Sequence, residues 1–220
     1  MILPKPIARW EFLVGKYVGI AITATVFVAT MTAVQLWVMS VQREAPLVFL
    51  VLVPVLALLA LVGFLLRKVD VSTILLPWSV AFLGASAILA QQAGADVVFT
   101  LLSVVLTLAE VLLVAAVALF FSSFSTPFLT GALTLGVWLV GRSADDMIAM
   151  RSRSLTPLTR SILHGLGRIV PNFNLFVPGR HALMDGGAAP YVTEAATYGV
   201  LYAAVVLIVA SFIFGRRDLT

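Results

Sequence analysis

Six stretches of the chain are apolar for long enough to enter or cross a bilayer: residues 17–41, 47–66, 71–92, 97–121, 128–140 and 195–214. A helical span needs about 20 apolar residues, each rising about 1.5 Å. Only 128–140 falls short of that length, so it either crosses as a short helix or is re-entrant. No stretch alternates with a period of two, and backbone groups in lipid must be satisfied inside their own segment. The pattern therefore predicts helices and not barrel strands. The links at 42–46, 67–70, 91–96 and 122–127 are short, which makes consecutive helices antiparallel neighbours. The expected fold is all-α, a polytopic helical membrane bundle of about six spans. Its expected organisation is a surface segment at 1–16, transmembrane helices one to five over 17–140, a loop with an interfacial helix at 141–193, and a last transmembrane helix with a basic tail at 194–220.

Composition sharpens this picture. Of 220 residues, 61% are apolar and 11% charged, and the mean hydropathy is +1.11. Soluble domains average about 25% charged residues, so this chain has no room for a separate soluble enzyme domain. Cysteine is absent, which excludes disulfides and thiolate metal sites. The net charge of +4 comes from loop cations, which in such a chain report topology and not nucleic-acid binding. Residues 1–16 hold no apolar h-region, so no cleavable signal is expected there. Lys and Arg near span ends favour the cytoplasm. With both termini in the cytoplasm, Lys5, Arg9, Lys16, Arg67, Lys68, Arg216 and Arg217 fall inside, and Arg43 falls outside. The Arg-rich loop 141–193 then lies outside, a violation that long segments tolerate.

Within that loop Leu155, Leu158, Ile162, Leu166 and Ile169 recur at spacings of three and four, with Arg160, His164 and Arg168 on another face. This predicts an amphipathic helix at the membrane interface before the last span. PNFNLFVPGR (171–180) reads as an ordered turn, with Phe173 and Phe176 dipping into the membrane. DGGAAP (185–190) reads as a flexible link. Trp10, Tyr17, Trp37, Trp78, Trp138, Tyr191 and Tyr198 fall near span ends, as an interfacial belt requires.

Catalytic signatures are missing: no catalytic residues and no metal ligands are assigned, and no cofactor is expected. His164 and His181 lack metal-ligand spacing. Asp145 and Asp146 diverge by about 100° on a helix and read as a solvated helix end. Gly15-Lys16 lacks the rest of a phosphate loop. Glu110 stands apart, because it lies in mid-span with apolar residues on both sides. A carboxylate there needs a partner, water or a proton. Packing against a neighbouring helix and a part in the transport cycle are both open, and packing is preferred. Ser103, Thr107, Thr130 and Thr134 are expected to hydrogen-bond between helices.

The segment 5–16 carries Lys5, Pro6, Arg9, Trp10, Glu11 and Lys16. A helix from near Ile7 would put Ile7, Trp10, Leu13 and Val14 on one face, as a membrane anchor or as an element docked on a partner. KPIARWEFLVGKYVG (5–19) resembles the segment preceding a span in permease subunits of type-2 ATP-binding-cassette exporters. ALFFSSFSTPFLTGALTLGVWLVGRSADD (118–146), IVPNFNLFVPGR (169–180) and FGRRDL (214–219) resemble that family's later blocks, in its order. The resemblance implies a multi-pass permease in the cytoplasmic membrane, paired with a second permease copy or a related permease. It also implies two copies of a separate ATPase subunit, contacted through 5–16. Two departures stand out: family members usually carry two spans before the first block, and residues 45–92 add a helical hairpin. A small membrane-embedded enzyme acting on lipid, or a truncated assembly subunit, are the alternative expectations.

Overall fold

The computed structural model describes residues 9–67, 71–145, 161, 165, 167, 169–177 and 188–216. Among them the chain is helical throughout, with no strand. The helices are α1 (Arg9–Gln42), α2 (Leu47–Leu66), α3 (Val71–Gln92), α4 (Val97–Ser122), α5 (Pro127–Arg142) and α6 (Ala188–Arg216), with a short 3₁₀ turn at Phe173–Phe176. All but α5 are long and apolar enough to cross a membrane. The fold is thus a helical membrane bundle.

Many large apolar side chains on the helices face outward, though Leu36, Leu106 and Leu113 are buried. The most apolar span, α2, has no buried residue. Large side chains such as Phe27, Leu58, Leu59, Val205 and Phe212 are exposed, while Ala33, Ser40, Ala90, Ala116, Ala203 and Ala210 are buried. Lipid tails are as apolar as leucine, so large side chains gain little by leaving them. Helices instead approach through small residues that let backbones pack closely.

By backbone proximity the chain divides into two compact units, one of Met1–Ile20 with Ala109–Thr220 and the other of Ala21–Leu108. In the second, Leu36, Ala90, Ala95 and Val97 form a small core. Two turns meet beside it, Glu44 and Gly94 each taking a positive φ, and Arg43 donates to the Gly94 carbonyl at 2.7 Å. Pro54 has no N–H and leaves the Leu50 carbonyl, four residues earlier, without its helical donor. Trp37 Nε1 supplies the missing bond at 2.9 Å. Trp78 Nε1 likewise donates to the Ala57 carbonyl at 2.8 Å.

In the first unit α4 ends in a serine-rich turn. Ser122, Ser123 and Ser125 each donate to a carbonyl of the last turn of α4, at 2.7 to 3.1 Å, taking up acceptors that a helix C-terminus leaves free. Pro127 then opens α5, a position where its fixed φ and missing N–H cost nothing. The stretch expected at 128–140 is one uninterrupted helix of 16 residues, about 24 Å long.

Several expectations are corrected. Phe173 and Phe176 do not reach lipid; they are 1% and 3% exposed, because glycines on two helices leave room for their rings inside the protein. The second half of DGGAAP is helix, since α6 begins at Ala188 and takes Pro190 into its first turn. Ser103, Thr107 and Thr134 do not bridge helices. Each donates to the carbonyl four residues earlier in its own helix, and Thr130 pairs with Ser125 across the turn. A hydroxyl on a helix finds that carbonyl within reach and needs no neighbour.

Candidate functional site: an ion pair within the helices

Glu110 lies twelve residues before the end of α4, or about 18 Å along its axis. The tight 123–126 turn folds α5 back beside α4, bringing Trp138 and Arg142 level with it. These two are four residues apart and share one helix face. Trp138 Nε1 and an Arg142 guanidinium nitrogen both donate to Glu110 Oε1, each at 2.9 Å. The guanidinium also sits 5.3 Å from the Trp138 ring centre, within cation–π range. The side chains are 13% exposed for Glu110 and 27% for Arg142. Arg142 lies in the last turn of α5, where the helix dipole favours a cation.

A second arm of Arg142 reaches the 170s turn, donating to the Phe173 carbonyl at 3.1 Å. That turn is held on several sides. Asn172 Oδ1 accepts from the Asn174 N–H at 2.9 Å, its Nδ2 donates to Asp145 at 2.7 Å, and its backbone N–H donates to Tyr198 Oη at 3.0 Å. Tyr191 donates to the Leu175 carbonyl at 2.8 Å, and Tyr202 donates to the Ile169 carbonyl. Irregular backbone packed among helices needs its polar groups satisfied, and here Arg142 and α6 contribute to that. The approach depends on Gly141, where a Cβ would lie 2.3 Å from the Pro171 carbonyl oxygen and 2.5 Å from the Phe173 ring. Gly199 does the same for Phe176, with 3.1 Å to the ring.

One face of the α4–α5 hairpin is an open groove of about 550 Å³, running from Glu110 and Trp138 past Val114 and Leu135 to Ala118 and Thr130. Both bonds to the carboxylate end on Oε1. Among the described residues none donates to Oε2, and Glu110 lines the groove.

The other expected site residues are placed differently. Lys5, Pro6, Arg160, His164 and Arg168 lie outside the described residues, as does most of the interfacial helix expected there, of which Ser161, Gly165, Gly167 and Ile169 are helical. Arg9 opens α1, and its side chain is also outside the description. Trp10 is 57% exposed, and Glu11 and Lys16 are exposed. The expected apolar face is not buried as a face, since Leu13 is buried but Val14 is exposed. Phe12 stacks on Phe214 at 6.3 Å. There is no break between this segment and the first span, because α1 runs unbroken from Arg9 to Gln42. Of the aromatic belt, Tyr17, Trp37, Trp78, Trp138, Tyr191 and Tyr198 all have hydrogen-bond partners within the protein. Sequence reasoning missed Trp138 and Arg142 as partners of Glu110. The available signal was the turn, since position 110 reflected through 123–126 falls beside Trp138.

Comparison of the chain with protein-family models, curated proteins and solved structures returned no match.

Proposed function

We propose that this chain is the membrane-spanning, permease-type subunit of an ATP-binding-cassette exporter, with ATP hydrolysed by a separate subunit present in two copies. The observation that carries the reading is how the sequence blocks fall in the fold. Residues 5–19, 118–146, 169–180 and 214–219 all belong to the unit of Met1–Ile20 with Ala109–Thr220. The added hairpin, 45–92, belongs wholly to the other unit, Ala21–Leu108. Blocks far apart in sequence thus share one body, and the departure from the family pattern is segregated from it.

The helices support a mechanism. The charged first turns of α1 continue into its span without a hinge, so a push by an ATPase on Arg9–Lys16 is delivered to the span as rigid-body motion. The Glu110–Arg142 pair fixes α5 and the 170s turn to the middle of α4, so they tilt together. In this reading the protein resides in the cytoplasmic membrane with both termini on the cytoplasmic side, beside a second permease copy or a related permease.

The test is co-purification of an ATPase subunit with the tagged chain, followed by the double variant Arg9→Glu with Trp10→Ala. The expected outcome is normal membrane insertion with ATP hydrolysis uncoupled from transport. Unchanged transport together with unchanged ATPase association removes the coupling role of this segment.

A further inference from the structure

We propose that the groove on the α4–α5 hairpin binds an uncharged amphiphile, a lipid-like molecule with a hydroxyl or amide head. Its head would donate to Glu110 Oε2 and its apolar body would lie along Val111, Val114, Ala118 and Leu135. This deepens the transport reading by naming a substrate class, and it rests on that reading only for the direction of movement.

Three observations combine. The groove is large enough, at about 550 Å³; small-molecule sites run from about 300 to 1,000 Å³. Its lining is apolar apart from Thr130, Thr134 and, at one end, Glu110, whose bonds from the described residues both end on Oε1. An acceptor facing an apolar space favours a ligand that brings a donor. The third observation selects the head. Glu110 is already neutralised by Arg142 at 2.9 Å, so the end of the groove carries no net charge. A cationic head would meet the guanidinium as well as the carboxylate, and an anionic head would meet the carboxylate, each after losing its water. A neutral donor loses the least water and gains the free oxygen. Thr130 and Thr134 further along have already committed their hydroxyls, to Ser125 and to the Thr130 carbonyl, so Oε2 is the groove's polar anchor.

The experiment uses a 16-carbon alcohol bearing a mid-chain diazirine, photolysed with the intact protein in phosphatidylcholine vesicles and mapped by peptide mass. Analogues with trimethylammonium and sulfate heads are run beside it. The expected result is saturable labelling on 111–118 and 130–138, competed by unlabelled alcohol and at least five-fold weaker with either charged head. Gly131→Leu fills the groove without touching the ion pair, since nothing lies within 4 Å of the added Cβ, and it should lower labelling at least five-fold. Glu110→Gln should erase most of the preference for the alcohol. Labelling spread evenly over lipid-facing helices such as α2, or unaffected by competitor in the wild type, overturns the proposal. So does a groove closed by a second copy, seen as cross-linked dimers from a single cysteine at Gly131 with no alcohol labelling. Since labelling needs no ATPase, the two readings fail separately. Labelled groove without a co-purified ATPase sinks the transporter, and a co-purified ATPase without groove labelling sinks the ligand.

Discussion

Removing the carboxylate at position 110 should be far more damaging than removing the whole ion pair. In Glu110→Leu the Arg142 guanidinium keeps its bond to Phe173 and 27% of its side-chain surface, but its counter-charge is gone. Breaking a fully buried pair costs about 3–5 kcal/mol. The residual exposure and the Phe173 bond lower the expected cost here to about 2–3 kcal/mol. Trp138 Nε1 also loses its acceptor, adding about 1 kcal/mol. Glu110→Gln keeps an acceptor for Trp138 and similar volume, so about 1–2 kcal/mol is expected. Arg142→Met leaves the Glu110 carboxylate its bond from Trp138, so it should cost less than Glu110→Leu. In Glu110→Leu with Arg142→Met neither charge remains, and stability should return to within about 1 kcal/mol of wild type, because paired charges replaced by apolar groups of similar size are often neutral. The assay is reversible unfolding in mixed micelles of rising sodium dodecyl sulfate fraction, followed by tryptophan fluorescence. Double and single variants together define a coupling energy of about 3–4 kcal/mol. If the losses of the two single variants simply add in the double, the geometry described for the pair does not carry stability and the reasoning is refuted. Transport of the alcohol per assembled complex should fall in Glu110→Gln, since the carboxylate anchors its head; normal transport at normal assembly would leave the carboxylate a packing role alone.

Three further outcomes follow from particular contacts. Gly141→Ala should cost about 2–3 kcal/mol, because its Cβ meets a backbone oxygen that cannot easily move, whereas Gly199→Ala, facing only the Phe176 ring edge, should cost about 1 kcal/mol; thermal shift in detergent ranks the two. Trp37→Phe should lose about 1–2 kcal/mol by leaving the Leu50 carbonyl unpaired, and adding Pro54→Ala should recover most of it by restoring the helical N–H; a double variant weaker than the single rules out that account. Single cysteines at Glu44 and Thr126 should react with impermeant maleimide from opposite sides of sealed vesicles, and labelling from the same side rejects the alternating topology of α1 to α4.

The helices were legible because lipid makes the signal one-dimensional: a run of apolar residues, a short polar link, another run. Boundaries at Leu47, Leu66, Gln92 and Val97 could be read directly for that reason. The start of α6 was hidden because Gly186, Gly187 and Pro190 look like a link, although proline is harmless in a first helical turn. What periodicity could not supply was which apolar side chains face protein. Phe173 and Phe176 are as apolar as Phe27 and Phe212, and only the glycines at 141 and 199 reveal that a cavity of their shape exists. The aromatic residues near span ends carry a similar ambiguity, since indole and phenol groups there serve equally to reach a headgroup or to take a protein carbonyl. Pro54 makes the second choice readable for Trp37.

Glu110 was conspicuous by itself, and its environment follows from the rule that made it so. A lone charge in a span must be matched, and only Arg142 among the residues folded back beside it by the 123–126 turn carries the opposite sign. Trp138 then falls on the same face one helical turn earlier, where its N–H can reach the same oxygen. Donors from α5 satisfy Oε1. Arg142 in turn reaches onto the 170s turn, which could not otherwise lie among helices with free backbone groups. A feature expensive to keep in a membrane thus fastens three segments together at the end of an apolar groove that Glu110 lines. Packing explains the fastening. It does not explain the groove, which is why the groove's occupant is the more informative thing to measure next.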